Sequence, residues 1–411
     1  QYLDWVTTCQ RPSGELPCIL ERNGQMPGWA STWTEWDGQG AYVFAISDYY
    51  RFTKDKKFLE DKFDNVLLAL RFIETLRKQR LTAQYEGTYF YGILPESNSH
   101  EGYFPAQHSL WDDFWALKGL KEGQYLAREL GRESEIPWMQ KEEQDLRKNL
   151  INNIKLIQEK REIKNIPGCF EKADFDATST AISVWPTEEN EYFMDVGLMY
   201  TLDKYYENTL LPRLPQGAKS AYTPYEIRTA TAYLMLGEKE KALTMMNYFL
   251  RDRRPLKWNH WGEVVHDIAE RPQYIGDMPH AWIGAICANF IRSLFVYERD
   301  DTLYLAAGID DKWLENDSVT VKNIPTHYGD INYSISKSLN KFLTFVFRKN
   351  RYTITCIITG DINCPNDLVF IAPCKGLVLS VKVNGKGVKV KEDKKIQVDR
   401  LPAKIVISCQ E

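Results

Sequence analysis

His108-Ser109-Leu110-Trp111-Asp112-Asp113-Phe114-Trp115 ends a long polar loop and opens a helix that runs to Leu130, where Gly131 supplies the C-cap. Behind it, Lys57 to Leu81 places Phe58, Phe63, Leu67, Leu70, Phe72 and Leu76 at helical spacing with charges opposite. Gly40 to Tyr50 is apolar and small on one face. Further helices are expected at 138–160, 190–208, 224–236, 238–250 and 279–298, with a shorter one over Ser179 to Trp185. The links alternate in length. Gly131 and Gly237 mark tight turns, whereas 11–39, 83–109, 164–178 and 252–279 are long and rich in Gly, Trp, Asp and His. Helical hairpins with long loops at one end describe a ring whose loops build one face, and structureless loops of that length ordinarily carry function.

After Arg299-Asp300-Asp301 the period changes from helical to alternating. Strands are expected around Ser318–Val321, Ile331–Ile335, Phe342–Phe347, Tyr352–Ile358, Gly376–Val383 and Ala403–Ser408, and Val383-Asn384-Gly385-Lys386 is a hairpin signal. The expected fold is thus mainly α, with a helical domain over 1–298 and a small antiparallel β-sandwich over 299–411. Lysines between Lys382 and Lys395 read as a device that keeps exposed strands soluble.

Composition narrows the function classes. The chain has 411 residues, 44% hydrophobic and 26% charged, as a globular protein of more than one domain would. A net charge of −4 offers no basic excess for nucleic acid or an anionic membrane. No run of about 18 apolar residues occurs that could span a bilayer. The eight cysteines show neither a C-x-x-C pair nor metal-ligand spacing, so no metal or cofactor is implied. They read as buried thiols, with a bridge between Cys9 and Cys18 or among the β-domain cysteines left open. Gln1-Tyr2-Leu3-Asp4-Trp5 reads as the middle of a structured segment, so a trimmed chain is expected; the compartment stays undecided, a periplasmic or extracellular setting being favoured only if the chain is trimmed. Oligomeric state is not encoded legibly.

Twelve Trp and twenty-three Tyr bring the aromatic fraction to 13%. Trp29, Trp33, Trp36, Trp111, Trp258 and Trp261 fall in polar loops rather than on helix stripes. Flat apolar faces beside hydrogen-bonding groups suit the C–H surface and hydroxyls of a sugar ring. Carboxylates gather in the same loops. Glu96, His100, Glu101 and His108 precede Asp112 and Asp113; either aspartate could serve as a helix cap, but a cap needs only one. A second cluster runs from Arg253-Arg254 through Trp258-Asn259-His260-Trp261-Gly262-Glu263 to Asp277 and His280. Glu263 could equally be a surface ion-pair partner, and Asp277 suits the N-cap of a helix with Pro279 in its first turn. Glu171 to Ser179, including Asp176, could add hydroxyl ligands, while Glu226 fits a first-turn dipole role. Two carboxylate-bearing loops far apart in sequence fit glycosidic cleavage, which needs one protonated acid and one ionised carboxylate. Trp walls would raise the acid's pKa.

These residues resemble the six-hairpin (α/α)6-toroid glycosidases, nearest to α-L-rhamnosidase-like glycoside hydrolases, with echoes of trehalase and processing glucosidase. Trp111-Asp112 is similar to the segment holding the general acid in trehalase-like members. Trp261-Gly262-Glu263 is similar to the segment supplying the base in rhamnosidase-like ones. Gly276 to Gly284 occupies the place of their Ser-Leu-Asn-His helix start, and Trp36-Asp37-Gly38 resembles their early substrate loop. The resemblance implies a hydrolase acting on an oligo- or polysaccharide, with inversion by analogy with the fold. Asp112, Asp113 or Glu101 would be the acid and Glu263 the base. Trp36, Asp37, Glu96, His108, Trp111, Asp176, Trp258, His260, Trp261 and His280 would contact sugar. The arginine- and acid-rich loop that carries the rhamnosidase acid would lie upstream of residue 1, as would the first helix, since about ten or eleven helices are countable. Two other functions fit the same fold: a phosphorylase, with Arg253, Arg254 and His260 as phosphate ligands, and a non-catalytic glycan-binding module.

Overall fold

The computed structural model describes the chain except for residues 101, 216, 254–255, 267, 269, 272–277, 316–317, 343, 345–348, 364–366 and 391–392. It divides into two compact units, Gln1–Pro212 and Arg213–Glu411.

The first unit is helical. After α1 (Tyr2–Thr8) come α2 (Asp37–Thr53), α3 (Lys56–Lys78), α4 (Leu110–Glu129) and α5 (Ile136–Arg161). Asp55 caps α3 by accepting from Phe58 N at 3.0 Å. Of the predicted stripe Phe63, Leu70 and Leu76 are buried, whereas Phe58, Leu67 and Phe72 are half-buried and Leu59, Val66 and Ile73 take the buried positions beside them. Helix α4 is buried along nearly its whole length and packs against α2, α3 and α5. Its contact with α2 depends on glycine. A Cβ on Gly40 would lie 1.9 Å from the Trp115 carbonyl oxygen, and one on Gly119 would lie 2.9 Å from the Gly40 Cα. The backbones meet there without side chains, which fixes where the first turn of α4 sits relative to the start of α2.

The far half of α4 buries charge. Lys118 pairs with Glu122 at 2.7 Å and Glu188 at 2.8 Å, and Arg51 meets Glu122 at 2.6 Å. Arg147 on α5 grips the wholly buried Glu189 through Nε (2.6 Å) and Nη2 (2.9 Å). The remaining helices are α6 (Ala177–Ala181), α7 (Asn190–Phe193), α8 (Leu198–Tyr205) and α9 (Leu211–Arg213). The expectation of one helix over 190–208 is corrected here. Gly197 takes a φ of +101° and breaks it, and only glycine fits there, since a Cβ would fall 2.2 Å from the Lys164 carbonyl oxygen.

The second unit begins with α10 (Ile227–Met235) and α11 (Lys239–Arg251), joined through Gly237 at φ +86°, followed by α12 (Ala281–Phe295). Strand structure starts at once with β1 (Val296–Arg299) and β2 (Thr302–Leu305), so the change from helix to strand falls close to the expected 298. The strands continue as β3 (Val319–Thr326), β4 (Gly329–Leu339), β5 (Arg351–Gly360), β6 (Leu368–Ile371), β7 (Leu377–Val383), β8 (Lys386–Val388), β9 (Lys395–Gln397) and β10 (Ala403–Gln410). They form two sheets, ordered β1-β2-β6-β9 and β3-β4-β5-β10-β7-β8. All pairings are antiparallel save β2 with β6. One buried core takes Leu303, Phe370 and Ile396 from the smaller sheet and Ile335, Ile354 and Ile407 from the larger, so the two form a sandwich. Asn384 and Gly385 both have positive φ (50° and 81°), as the type I′ turn of the β7–β8 hairpin requires. The strand expected at Phe342–Phe347 lies largely outside the described residues.

Among the described residues no helix is long and apolar enough to cross a membrane. Cys9 and Cys18 are separate thiols, donating to Trp5 O and Trp33 O.

Candidate functional site

In the first unit, three loops are knitted together beneath the start of α4. Ser97 and Gln107 exchange two backbone bonds of 2.8 Å, closing the 97–107 loop on itself. Asn98 N donates to Thr34 O at 2.6 Å while Asn98 Oδ1 accepts from Thr34 N at 3.0 Å, tying that loop to the Trp-rich one. Phe170 N donates to His108 O and Leu110 N to Gly168 O, each at 3.1 Å, and the Tyr103 hydroxyl reaches Asp174 Oδ2 at 2.9 Å.

Asp112 and Asp113 lie in the first turn of α4, and both are fully buried. Neither caps the helix, whose N-cap is Ser109. Instead they pin the incoming loop: Asp113 Oδ1 accepts from Leu94 N at 3.0 Å, and Asp112 Oδ2 accepts from Ser97 Oγ at 2.5 Å. Their burial leaves neither open to a ligand in this conformation. The open member of the group is Asp37, half-buried at the start of α2, which accepts from Trp111 Nε1 at 2.9 Å. Trp111 is itself buried and stacks on His100, with ring centroids 4.2 Å apart and planes 17° from parallel. His100 Nε2 lies 3.5 Å from Thr178 Oγ1, and its Nδ1 lies 3.9 Å from Asp176 Oδ2. Asp176 uses its other oxygen to cap α6, accepting from Thr178 N (2.9 Å) and Ser179 N (3.0 Å).

This arrangement favours bound protons. Burial pushes Asp112 well above the usual carboxylate range; the charge of Asp37 adds to the rise and the Ser97 hydroxyl opposes it. Burial also raises Asp37, against the pull of the Trp111 N–H and of His100. Glu35, half-buried two residues earlier, is raised by burial and by the Asp37 charge, with the Trp33 N–H at 2.9 Å opposing. Close buried carboxyls cannot all ionise, so the group retains at least one proton where isolated carboxyls would have lost theirs. Glu35 was not singled out from sequence. The run Trp33-Thr34-Glu35-Trp36-Asp37, with its alternating Trp and acid, was the available signal.

A second cluster borders the first. His108 is buried, stacked on Phe90 at 4.3 Å, and bonded through Nδ1 to Glu171 Oε1 at 2.6 Å. Arg80 Nε donates to His108 Nε2 at 2.9 Å, and the same guanidinium pairs with Glu96. Burial works to raise Glu171, but the hydrogen bond and charge of His108 outweigh it and hold the carboxyl low. Donor atoms of Glu96, His108 and Glu171 lie within 4.8 Å of one another, a spacing that a metal could use. Arg80 argues against one. Both imidazole nitrogens are engaged, and a cation would have to displace a guanidinium from its two partners. Trp36, half-buried, donates to the Glu96 carbonyl at 3.1 Å.

The second unit holds the Glu263 cluster. Glu263 is exposed, and its Oε1 accepts from the Tyr225 hydroxyl at 3.4 Å. The Tyr225 ring meets Trp282 at 5.1 Å and His280 at 5.8 Å, with the Arg228 guanidinium 4.5 Å from its face. Tyr225, Arg228 and Trp282 are aromatic and cationic neighbours that sequence reasoning did not assign. His280 caps α12, accepting from Ile283 N at 3.3 Å, and its carbonyl lies 3.1 Å from His260 Nε2. Glu226 is paired with Arg213 at 2.6 Å. Trp258 is 59% exposed, whereas Trp261 is buried and donates to Phe249 O, so Trp261 offers no open face. Arg253 is bound to Leu250 O and Asn259 Oδ1. Glu101, Arg254, Gly276 and Asp277 lie outside the described residues.

No family model matches this sequence, and no curated protein does either. Solved structures do match. The chain is similar over its full length to the α-L-rhamnosidase from Dictyoglumus thermophilum, with 12% identity and a TM-score of 0.58, and it spans 43% of that protein. A family 78 rhamnosidase from Bacillus sp. GL1 matches 72% of the chain and is itself covered to 30%, with 13% identity and a TM-score of 0.49. A β-L-arabinofuranosidase from Geobacillus stearothermophilus T6 matches all of the chain and is covered to 67%, with 11% identity and a TM-score of 0.42. The likeness to the first establishes the fold: helical hairpins of the six-hairpin toroid type followed by a C-terminal β domain.

Proposed function

We propose that this chain performs glycosidic-bond hydrolysis by acid/base catalysis with carboxyl groups. The observation that carries the proposal is the Asp37–Asp112 carboxyl group set, biased toward protonation by burial and mutual repulsion, with Asp37 as its open member. A glycosidase needs such a proton at the leaving oxygen. Asp37 is the donor, Asp112 and Trp111 position it, and Asp113 holds the loop in place. We assign the base that activates water to Glu263, exposed and accepting from the Tyr225 hydroxyl, and with it inversion as the expected outcome. Trp36 supplies a face for the sugar beside Asp37, with Glu96, His108 and Asp176 ordering the surrounding loops. The enzyme name of the Dictyoglumus thermophilum neighbour favours a sugar substrate and leaves its identity open.

The test is turnover of a panel of 4-nitrophenyl glycosides in both anomeric series. Asp37→Asn is expected to lower kcat by about 10²- to 10⁴-fold, the usual size of a general-acid effect, and to remove the basic limb of the pH profile. An Asp37→Asn enzyme with unchanged kcat and pH profile overturns the assignment. Burial of Asp112 and Asp113 favours one other function, a glycan-binding module without chemistry. Binding of a glycan with no product release would establish that function instead. The phosphate site of a phosphorylase finds less support, since His260 and Arg253 are committed to internal bonds.

A further inference from the structure

In the β-sandwich, Cys374 lies in the connection between β6 and β7, and Cys409 is in the last strand, β10. Both are buried thiols. Their meeting point is Tyr352. In the β5–β10 ladder Tyr352 is the direct partner of Cys409, and its hydroxyl lies 3.4 Å from Cys374 Sγ. The backbones converge as well. Leu377 pairs with Gln410, and a Cβ on Gly376 would fall 2.0 Å from the Gln410 carbonyl oxygen. Cys374 therefore approaches the end of β10 where Cys409 points inward. The Cys409 thiol and the Lys394 ammonium, which donates to Cys374 O at 2.5 Å, both favour the ionised form of Cys374. Together these hold Cys374 down to about 6, although its burial works the other way. A thiol lowered in this way is the readier of the two to ionise, and the thiolate is the form that attacks disulfides.

We propose that Cys374 and Cys409 are an oxidisable dithiol that closes an intrachain disulfide, fastening β10 to the β6–β7 connection. The chemistry is thiol–disulfide exchange with a small-molecule disulfide such as oxidised glutathione. The Cys374 thiolate attacks one of its sulfurs, breaking that S–S bond and expelling a glutathione thiolate. Cys409 then gives its proton to solvent and attacks the Cys374 sulfur of the mixed disulfide, expelling the second glutathione. Two protein thiols are oxidised, and one external disulfide is reduced to two thiols. Access needs only movement of the 372–376 connection, which lies outside every strand, so no ladder has to break. Cys356, wholly buried within β5 and its two neighbouring strands, lacks such a path and serves as the internal control.

The experiment uses the full chain, first reduced and then equilibrated with oxidised glutathione. It is quenched in acid, denatured, alkylated with iodoacetamide and digested for mass spectrometry. The expected result is a peptide pair joined through Cys374 and Cys409, with Cys356 fully alkylated. The melting temperature of the oxidised protein should rise by roughly 5–10 °C, since the bridge restricts the unfolded chain. Cys409→Ser should stop the sequence at a glutathione adduct on Cys374 and abolish the rise. Complete alkylation of both cysteines in the oxidised wild type, or a glutathione adduct that persists there without closing, overturns the proposal.

Discussion

Asp113 allows the buried carboxyl group set to be tested without any substrate. Burial pushes its carboxyl up to about 7 from an ordinary 3.8, opposed by the Leu94 N–H and the charge of Arg77. In the unfolded chain the group titrates near 3.9. As pH rises from about 4 to about 7, the unfolded form loses its proton first while the native form keeps it. Stability contributed by the protonated native group is therefore full below the unfolded pKa and lost as pH passes through the folded one. A difference of about three pKa units corresponds to about 4 kcal/mol, and because the side chain is fully buried, little of this is screened by solvent. Asp113→Asn keeps the shape and the acceptor for Leu94 N, and replaces the second oxygen by an amide whose cost does not change with pH. Comparing variant with wild type by urea denaturation at pH 4.5, 6, 7 and 8 cancels that cost. The gap should move in the variant's favour by about 3 kcal/mol between pH 4.5 and 8, the first ~1 kcal/mol having been lost below pH 4.5, and removing the Asp113 charge from beside Asp112 adds in the same direction. A gap that stays constant within about 0.5 kcal/mol would refute the view that burial holds the proton on Asp113.

Gly40→Ala forces a methyl to 1.9 Å from the Trp115 carbonyl and should cost about 3 kcal/mol or more by separating α2 from α4, read as a lowered urea midpoint. Arg147→Ala leaves the wholly buried Glu189 with Lys121 as its remaining ion-pair partner at 2.8 Å. It should cost about 3–5 kcal/mol, whereas Arg147→Met combined with Glu189→Leu should recover most of the loss.

Much of the architecture was legible because the signals were local. The α3 stripe, the Gly131 and Gly237 stops and the Asn384-Gly385 turn each state their conformation within a few residues. What escaped was set by distant contacts. Gly197 breaks a helical period with a φ of +101° where the Lys164 carbonyl leaves no room for a Cβ, and nothing near Gly197 in sequence says so. The β1-β2-β6-β9 sheet was missed because its strands have three or four residues, too few for alternation to show. At the site, composition located the acid- and Trp-rich loops but not which side chains are open. Asp112 and Asp113 looked like the chemistry, yet they are buried beneath Ser97 and Leu94, while Asp37 and the unassigned Glu35 stay half-open. Trp261 likewise turned inward and Trp258 outward, a difference that two neighbouring loop tryptophans cannot announce.

The central claim, hydrolysis with Glu263 as base, is tested most directly by Glu263→Gln. Turnover of the best aryl glycoside should be measured alongside affinity for the free sugar by calorimetry. The account predicts a fall in kcat of about 10²- to 10⁴-fold with sugar affinity held within a few-fold. A Glu263→Gln enzyme that turns over at the wild-type rate contradicts it.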